Sequence, residues 1–207
     1  MLVQEVVRGV AGLTTGDARR IMERDGLLCA ALRTGRVTTA DEAEVLLGAE
    51  ALDQHVHEHH VVREGSPYVS TSAGTYVTDD RWHTRSAFAV DTAIDFAVLG
   101  PRADGWVFYG YVFLLGRPAG HHAEFAEEVR DVHQHPAWSP FRAEGEVAVP
   151  VRLPPRRLLR AELYRYAEVA AALAAGRWPA VPSAVIDNEA EGRCGSPGEL
   201  AAARTAV

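Results

Sequence analysis

Residues 66–74 read SPYVSTSAG, and residues 144–154 read EGEVAVPVRLP. The first stretch leaves a Gly65-Ser66-Pro67 turn and enters a run rich in β-branched and aromatic residues, Tyr68-Val69-Ser70-Thr71-Ser72. That run reads as a strand with hydroxyls placed along it. The second stretch sets two carboxylates, Glu144 and Glu146, two residues apart at the entry to an alternating strand over residues 146–151. In extended backbone a spacing of two puts both side chains on one face. Two like charges so close cost energy unless a cationic ligand, a sugar or a hydrogen-bond donor uses them. Each stretch also has an ordinary reading: serines and threonine on a half-buried sheet, and a solvated strand edge.

Between and around these stretches the chain alternates helices and strands. Residues 85–99 have the spacing of a helix, with Ala87, Phe88, Ile94, Ala97 and Val98 toward a core and Asp91 and Asp95 on the wet side. Gly100-Pro101 ends it. Residues 106–115 (WVFYGYVFLL) are apolar on both alternating faces, as a central strand requires. Residues 121–132 read as a charged helix, and residues 133–145 (HQHPAWSPFRAEG) as a loop carrying Trp138 and Phe141. After Pro154-Pro155 a strand over residues 157–163 and an alanine-rich helix over residues 165–175 follow, the helix ended by Gly176. Toward the N-terminus, Val3, Val6, Val7 and Val10 have helical spacing, Gly12 interrupts, and Thr15 or Asp17 caps a second short helix through Ile21 and Met22. Residues 27–32 (LLCAAL) read as a buried strand ending at Arg33. Thr38 or Thr39 then caps a helix with Glu42 near its third position and Val45, Leu46 and Ala49 on one face.

Composition limits what such a chain can be. Its 207 residues carry 21 basic and 28 acidic side chains, a formal charge of -7, and every basic residue is arginine. An acidic total argues against a dedicated polyanion binder, so nucleic acid is the less favoured partner. The all-arginine usage reads first as codon bias. Apolar content of 47% is that of a globular protein, and a chain of this length buries about 70% of its unfolded surface without staples. Cys29 and Cys194 fit neither a disulfide framework nor a zinc spacing. No apolar run is long enough to span a membrane. The N-terminus lacks a signal-peptide core, so the expectation is a chain cytoplasmic at synthesis, with export by a non-classical route left open.

Two further groups bear on chemistry. Arg33 closes the 27–32 run, where an arginine either snorkels or offers a bidentate fork to a phosphate or carboxylate. His55, His57, His59 and His60 suggest a transition metal. His55 and His57 alternate on one strand face with Glu64 beyond, although the histidine-to-glutamate gap is too long for the cupin pattern. A metal-dependent, cupin-like enzyme built on these histidines therefore stands as an alternative.

Taken in order, an arginine, a histidine, the S-T-S strand and then E-x-E resemble the R-S-E class of ADP-ribosyltransferases, in its cholera-toxin-like branch. The closest stretches are SPYVSTSAG and EGEVAVPVRLP, with Arg85-Ser86-Ala87 and YGYVFLL in matching positions. The resemblance covers roughly residues 28–164 and departs from the family where Leu32 replaces the aromatic before Arg33. The Ser72-to-Glu144 gap is also lengthened, around residues 79–84 and 121–130.

The resemblance implies an α+β fold, an ADP-ribosyltransferase-type split β-sandwich of two roughly perpendicular antiparallel sheets with flanking helices and NAD in the cleft. The chain reads as one domain over residues 1–187, with residues 1–26 as an N-terminal helical extension and residues 188–207 as a flexible tail, both outside the resemblance. By the same resemblance Arg33 contacts NAD phosphate, Ser70 holds the catalytic glutamate, and Thr71 and Ser72 complete the NAD-contacting strand. Glu146 is that glutamate, bonded to the 2′-hydroxyl of the nicotinamide ribose; Glu144 faces the acceptor, and His55 supports the bound NAD. The implied activity is mono-ADP-ribosyl transfer from NAD to an arginine or other guanidino acceptor, with NAD glycohydrolysis as a side reaction. Trp138 and Phe141 would form the acceptor-docking loop, or else pin that loop to the core. A non-catalytic NAD-binding module of the same fold is a second alternative.

Overall fold

The first element is a strand. The structure, a computed structural model, describes residues 2–58, 62, 64–73, 82–83, 87–114, 126–128, 145–178 and 180–188. In it β1 (Leu2–Ala11) pairs along its whole length with β5 (Gly105–Leu114), from Leu2↔Leu114 to Ala11↔Gly105. This corrects the helix expected at the start of a 1–26 extension. Val3, Val6 and Val7 are all buried because β1 is covered on both faces, and a strand buried on both sides loses the alternation that would have marked it. Its β-branched valines suit the pleat better than a helix.

The remaining strands build outward from this pair. β9 (Leu158–Tyr164) and β10 (Ala184–Asp187) extend the sheet beyond β5. On the other side lie β3 (Tyr68–Ser72), β7 (Glu146–Pro150) and β6 (Glu127–Glu128), giving the order β10-β9-β5-β1-β3-β7-β6. A short β4 (Trp82–His83) runs parallel to the start of β1. A separate two-stranded sheet pairs β2 (Leu27–Leu28) with β8 (Arg152–Leu153). β6 corrects the helix expected over residues 121–132 where that segment is described; its other residues, the 133–144 loop, Cys194 and the tail beyond 188 lie outside the described residues.

The large sheet is split, because β1 meets β3 through the single pair Val7↔Ser72. Its two parts enclose a core. Trp106, Phe108 and Val112 of β5 face Val69, Val147 and Val149 of β3 and β7. The alternate residues of β5, Val107 and Tyr109, pack under helices instead. A strand between a second sheet layer and a helix layer has no wet face, which is why WVFYGYVFLL is apolar throughout.

Short helices surround the sheets. α1 (Thr15–Arg20) and α3 (Ala40–Val45) start on reciprocal capping boxes, Thr14 with Asp17 and Thr39 with Glu42. In α3 the buried residue is Ala43, whereas Val45, expected on the apolar face, is 84% exposed. α2 (Ala30–Arg33) replaces the second half of the expected 27–32 strand, so Arg33 ends a helix. α4 (Ala49–His57) carries His55. α5 (Ala87–Ile94) runs into a π-helical turn (Asp95–Leu99), and α6 (Tyr166–Ala174) packs beside it. In α5 and the turn that follows it the residues toward β1 are small: Ala89, Ala93, Ala97 and Val98 are buried, while Phe88 points out. The approach is so close that a Cβ at Gly9 would lie 1.9 Å from the Ala93 carbonyl oxygen.

One strained residue sets the geometry between the two sheets. Val151, between β7 and β8, has φ +60, a left-handed conformation rare for a β-branched residue. Its N–H donates to Pro67 O at 2.7 Å and its carbonyl accepts from Cys29 N–H at 2.8 Å. The bend sends the chain from the large sheet into the small one and ties the start of α2 to the end of the Glu146 strand.

Candidate functional site

The two motif stretches become hydrogen-bonded neighbours. β3 and β7 pair from Tyr68↔Pro150 to Ser72↔Glu146. Alternation along the ladder puts Ser70, Ser72, Glu146 and Ala148 on one face, with Val69, Thr71, Val147 and Val149 toward the core. Ser70 Oγ donates to Glu146 Oε1 at 2.6 Å. Thr71, assigned to NAD contact by the resemblance, is buried on the other face, and its hydroxyl is spent on Val147 O at 2.7 Å. Its part is to hold the ladder. Ser72 is also buried, opposite Glu146.

His55 enters this face from α4. It is 2% exposed, and both ring nitrogens are engaged: Nδ1 with Ser66 Oγ at 2.7 Å and Nε2 with Ser70 Oγ at 3.0 Å. Nε2 also lies 3.4 Å from Glu146 Oε1. Ser70 has a single hydroxyl proton, which it donates to Glu146, so Ser70 Oγ accepts from His55 Nε2–H. One chain of contacts thus runs from Ser66 through His55 and Ser70 to Glu146. Ser66 Oγ in turn accepts from the Tyr68 N–H at 3.2 Å.

This placement corrects the strand reading of the histidines. His55 and His57 lie on a helix and not on a strand, so the alternation expected of them does not apply. With both nitrogens of His55 occupied, the four-histidine metal cluster loses its first member. His59 and His60 lie outside the described residues, and among the described residues no group of three metal-ligating side chains converges.

Arg8 is the residue that sequence reasoning missed. It sits on β1, inside the segment assigned to a helical extension, and its Nη1 donates to the Ser70 carbonyl oxygen. Burial pulls its pKa from 12.5 down to about 10; the nearby Arg33 guanidinium pushes the same way, and the Glu146 carboxylate opposes both. Arg8 stays charged at neutral pH all the same. The available signal was the density of valines in the first ten residues, which favours a strand and brings Arg8 into the sheet.

Arg8, Arg33, His55, Glu64, Ser66 and Ser70 line one cleft of about 370 Å³. Arg33 reaches it from the end of α2, which is docked by Ala31 N–H on Ser66 O at 3.0 Å and by Thr34 Oγ1 on Glu64 O at 2.7 Å. Two guanidinium groups held within each other's field are costly to assemble unless an anion joins them. The cleft therefore offers a serine that fixes a neighbouring carboxylate, a histidine bonded to that serine, and a pair of cations suited to phosphate. Glu144, Trp138 and Phe141 lie outside the described residues.

Comparison with known families and with curated proteins returns no match to the sequence. Among solved structures the chain is similar to EcPltA, with a TM-score of 0.50, 9% identity and coverage of 90% of this chain and 86% of that one. It is also matched to a heat-labile enterotoxin double mutant at a TM-score of 0.40 and 15% identity, covering 78% of this chain and 57% of that one. At 9% identity the likeness to EcPltA is one of fold. The chain shares that fold, α+β with a split antiparallel sheet, a second small sheet and flanking helices.

Proposed function

We propose that the chain is a mono-ADP-ribosyltransferase that cleaves NAD at the nicotinamide–ribose bond and passes ADP-ribose to an arginine or other guanidino acceptor. The observation that carries this reading is the Glu146 carboxylate, fixed at 2.6 Å by Ser70, a residue that lines a cleft together with Arg8 and Arg33. Breaking the nicotinamide–ribose bond leaves positive charge on the ribose, an oxocarbenium-like state of the kind met in glycoside hydrolysis. A preorganised carboxylate stabilises such charge, and it does so most where water is scarce. Glu146 acts through the ribose 2′-hydroxyl. Nicotinamide leaves as a neutral molecule from a cationic ring and needs no acid.

Ser70 positions Glu146, and His55 positions Ser70. Arg8 and Arg33 receive the pyrophosphate, Arg8 from the sheet and Arg33 from the mouth. Glu144 orients the acceptor nucleophile, and Trp138 and Phe141 dock it. Water in place of the acceptor makes the same cleft an NAD glycohydrolase.

The test is release of nicotinamide and transfer of labelled ADP-ribose into a lysate, with Glu146→Gln as the comparison. The variant keeps the size and the Ser70 contact but loses the charge, and activity falls by orders of magnitude. Equal activity of the two proteins would remove Glu146 from the mechanism. A Glu144→Gln variant separates the two outcomes of the reaction, losing transfer while retaining hydrolysis.

A further inference from the structure

We infer that Ser66 is a positioning residue for the reaction, one whose hydroxyl sets kcat through His55 and leaves the binding of NAD to the two arginines. The inference rests on the reading of the cleft as an NAD site and extends its machinery by one residue. Ser66 is 3% exposed, and its side chain and backbone serve different parts of the cleft. Its Oγ meets His55 Nδ1 at 2.7 Å; the other ring nitrogen of His55 meets Ser70, which fixes Glu146. Its carbonyl oxygen accepts from Ala31 N–H at 3.0 Å and so holds α2, the helix that ends at Arg33.

The backbone makes Ser66 a stiff post. Pro67 follows it, and a residue before proline is pushed toward extended backbone. Pro67 O accepts from Val151 N–H at 2.7 Å, and Ser66 Oγ accepts from Tyr68 N–H at 3.2 Å. With the hydroxyl anchored in this way, the imidazole follows it and not the reverse. A ring bonded only at Nε2 can turn about its own side-chain torsions and take its contact with Ser70 out of line. The second contact, at Nδ1, fixes the ring plane. Alignment of this kind bears on rate, since a misplacement of about 1 Å that originates away from the reacting atoms can cost about 100-fold. The contact to α2 uses only the backbone carbonyl, which any side chain at position 66 leaves in place.

The experiment measures kcat and KM for nicotinamide release from NAD in the wild type, Ser66→Ala, Ser66→Thr, His55→Asn and the double variant Ser66→Ala/His55→Asn. Ser66→Ala lowers kcat by about three- to tenfold, with KM for NAD within about twofold of the wild type. Ser66→Thr keeps the hydroxyl and recovers most of the loss despite its extra methyl. A residue needed only for its small size would give the reverse order, with Thr worse than Ala, and that order would overturn the role. In the His55→Asn background Ser66→Ala costs nothing further, because the two residues act as one unit. Losses that multiply, an unchanged kcat, or a loss expressed in KM would each overturn it as well. Nitrogen NMR of the nucleotide-free protein reads the same contact without catalysis. The His55 ring resonances shift in Ser66→Ala, and unshifted resonances would overturn the positioning role whatever the cleft binds. Shifted resonances in a protein that neither binds nor cleaves NAD would overturn the NAD reading, and the rate effect with it, but not the hold of Ser66 on His55.

Discussion

Ser70 and Glu146 are bonded across a diagonal of the β3–β7 ladder, not across a rung. Ser70 pairs with Ala148 and Glu146 with Ser72, yet the Ser70 hydroxyl donates to Glu146 Oε1 at 2.6 Å. Diagonal neighbours on one face lie about 7–8 Å apart, within reach of a long side chain. The glutamate therefore leans along its strand toward His55, whose Nε2 stands 3.4 Å from the same oxygen. Strand register, and not a loop, aims the carboxylate.

If Ser70 aims Glu146, Ser70→Ala lowers kcat for nicotinamide release by about 10–100-fold, the equivalent of one hydrogen bond to a charged group. KM for NAD moves less, because the pyrophosphate contacts remain. The thermal midpoint changes little, since Ser70 is only half-buried and His55 Nε2–H has Glu146 within reach. Steady-state kinetics beside a melting curve check this; an unchanged kcat would show that the diagonal contact is not used.

Arg8 and Arg33 differ in how firmly they are held. Arg8 is half-buried and anchored on the Ser70 carbonyl, whereas Arg33 is exposed. Arg8→Lys is therefore not conservative: an ammonium cannot both keep that carbonyl and offer a planar fork to a phosphate. The expected loss in kcat/KM is about 100-fold or more for Arg8→Lys, and about tenfold for Arg33→Ala, expressed in KM. Binding isotherms with NAD separate the two. Equal effects would mean that the cations share one role.

Gly9 marks the closest approach of α5 to β1. A methyl there would meet the Ala93 carbonyl oxygen at 1.9 Å. Overpacking of this kind costs about 1–3 kcal/mol, against less than about 1 kcal/mol regained from chain entropy. Gly9→Ala is expected to destabilise the fold in chemical denaturation, and to reduce NAD cleavage by moving the adjacent Arg8. A variant as stable as the wild type would mean that the helix yields without cost.

A buried carboxylate elsewhere governs behaviour at high pH. Tyr109 and Tyr164 both donate to Glu162 Oε2, at 2.5 and 2.7 Å, and Arg160 holds Oε1 at 3.0 Å. Burial first, and then the bond to Glu162, raise the Tyr164 pKa far above its ordinary 10.0. The folded protein keeps this proton where the unfolded chain releases it. Stability from this group is therefore complete below about pH 10 and declines as pH rises beyond it. Denaturation midpoints measured through that range should fall, with a shallower slope in Tyr164→Phe. Parallel slopes would assign the alkaline loss to other groups.

The acid limb has a similar origin with the opposite sign. Hydrogen bonds from Thr38 and Thr39 hold the Glu42 pKa below its ordinary 4.5. A depressed carboxylate stabilises the fold above that value and loses its contribution as pH falls through the folded pKa. Glu42→Gln is expected to flatten the fall in midpoint below about pH 4.5, read by circular dichroism; an identical acid limb would show that the α3 cap is uncoupled from global stability.

What the sequence determined by itself was local. The S-T-S strand, the strand opening at Glu146, the all-apolar β5, the Thr39–Glu42 capping box and the stop at Gly176 (φ +64) all follow from turn chemistry, β-branching and side-chain reach over a few residues. What the tertiary structure decided was which of these meet. Whether four valines near the N-terminus make a helix or a strand depends on β5 lying alongside, a partner about a hundred residues away, so Arg8 stayed hidden until that pairing was known. His55 could not be placed opposite Ser70 before α4 was seen to cover the β3–β7 face. Thr71 and Ser70 are adjacent in sequence and equal in chemistry, yet one closes the core and the other aims Glu146. Only the choice of buried face separates them, and that choice is made by the residues across the core, Trp106 and Phe108 among them.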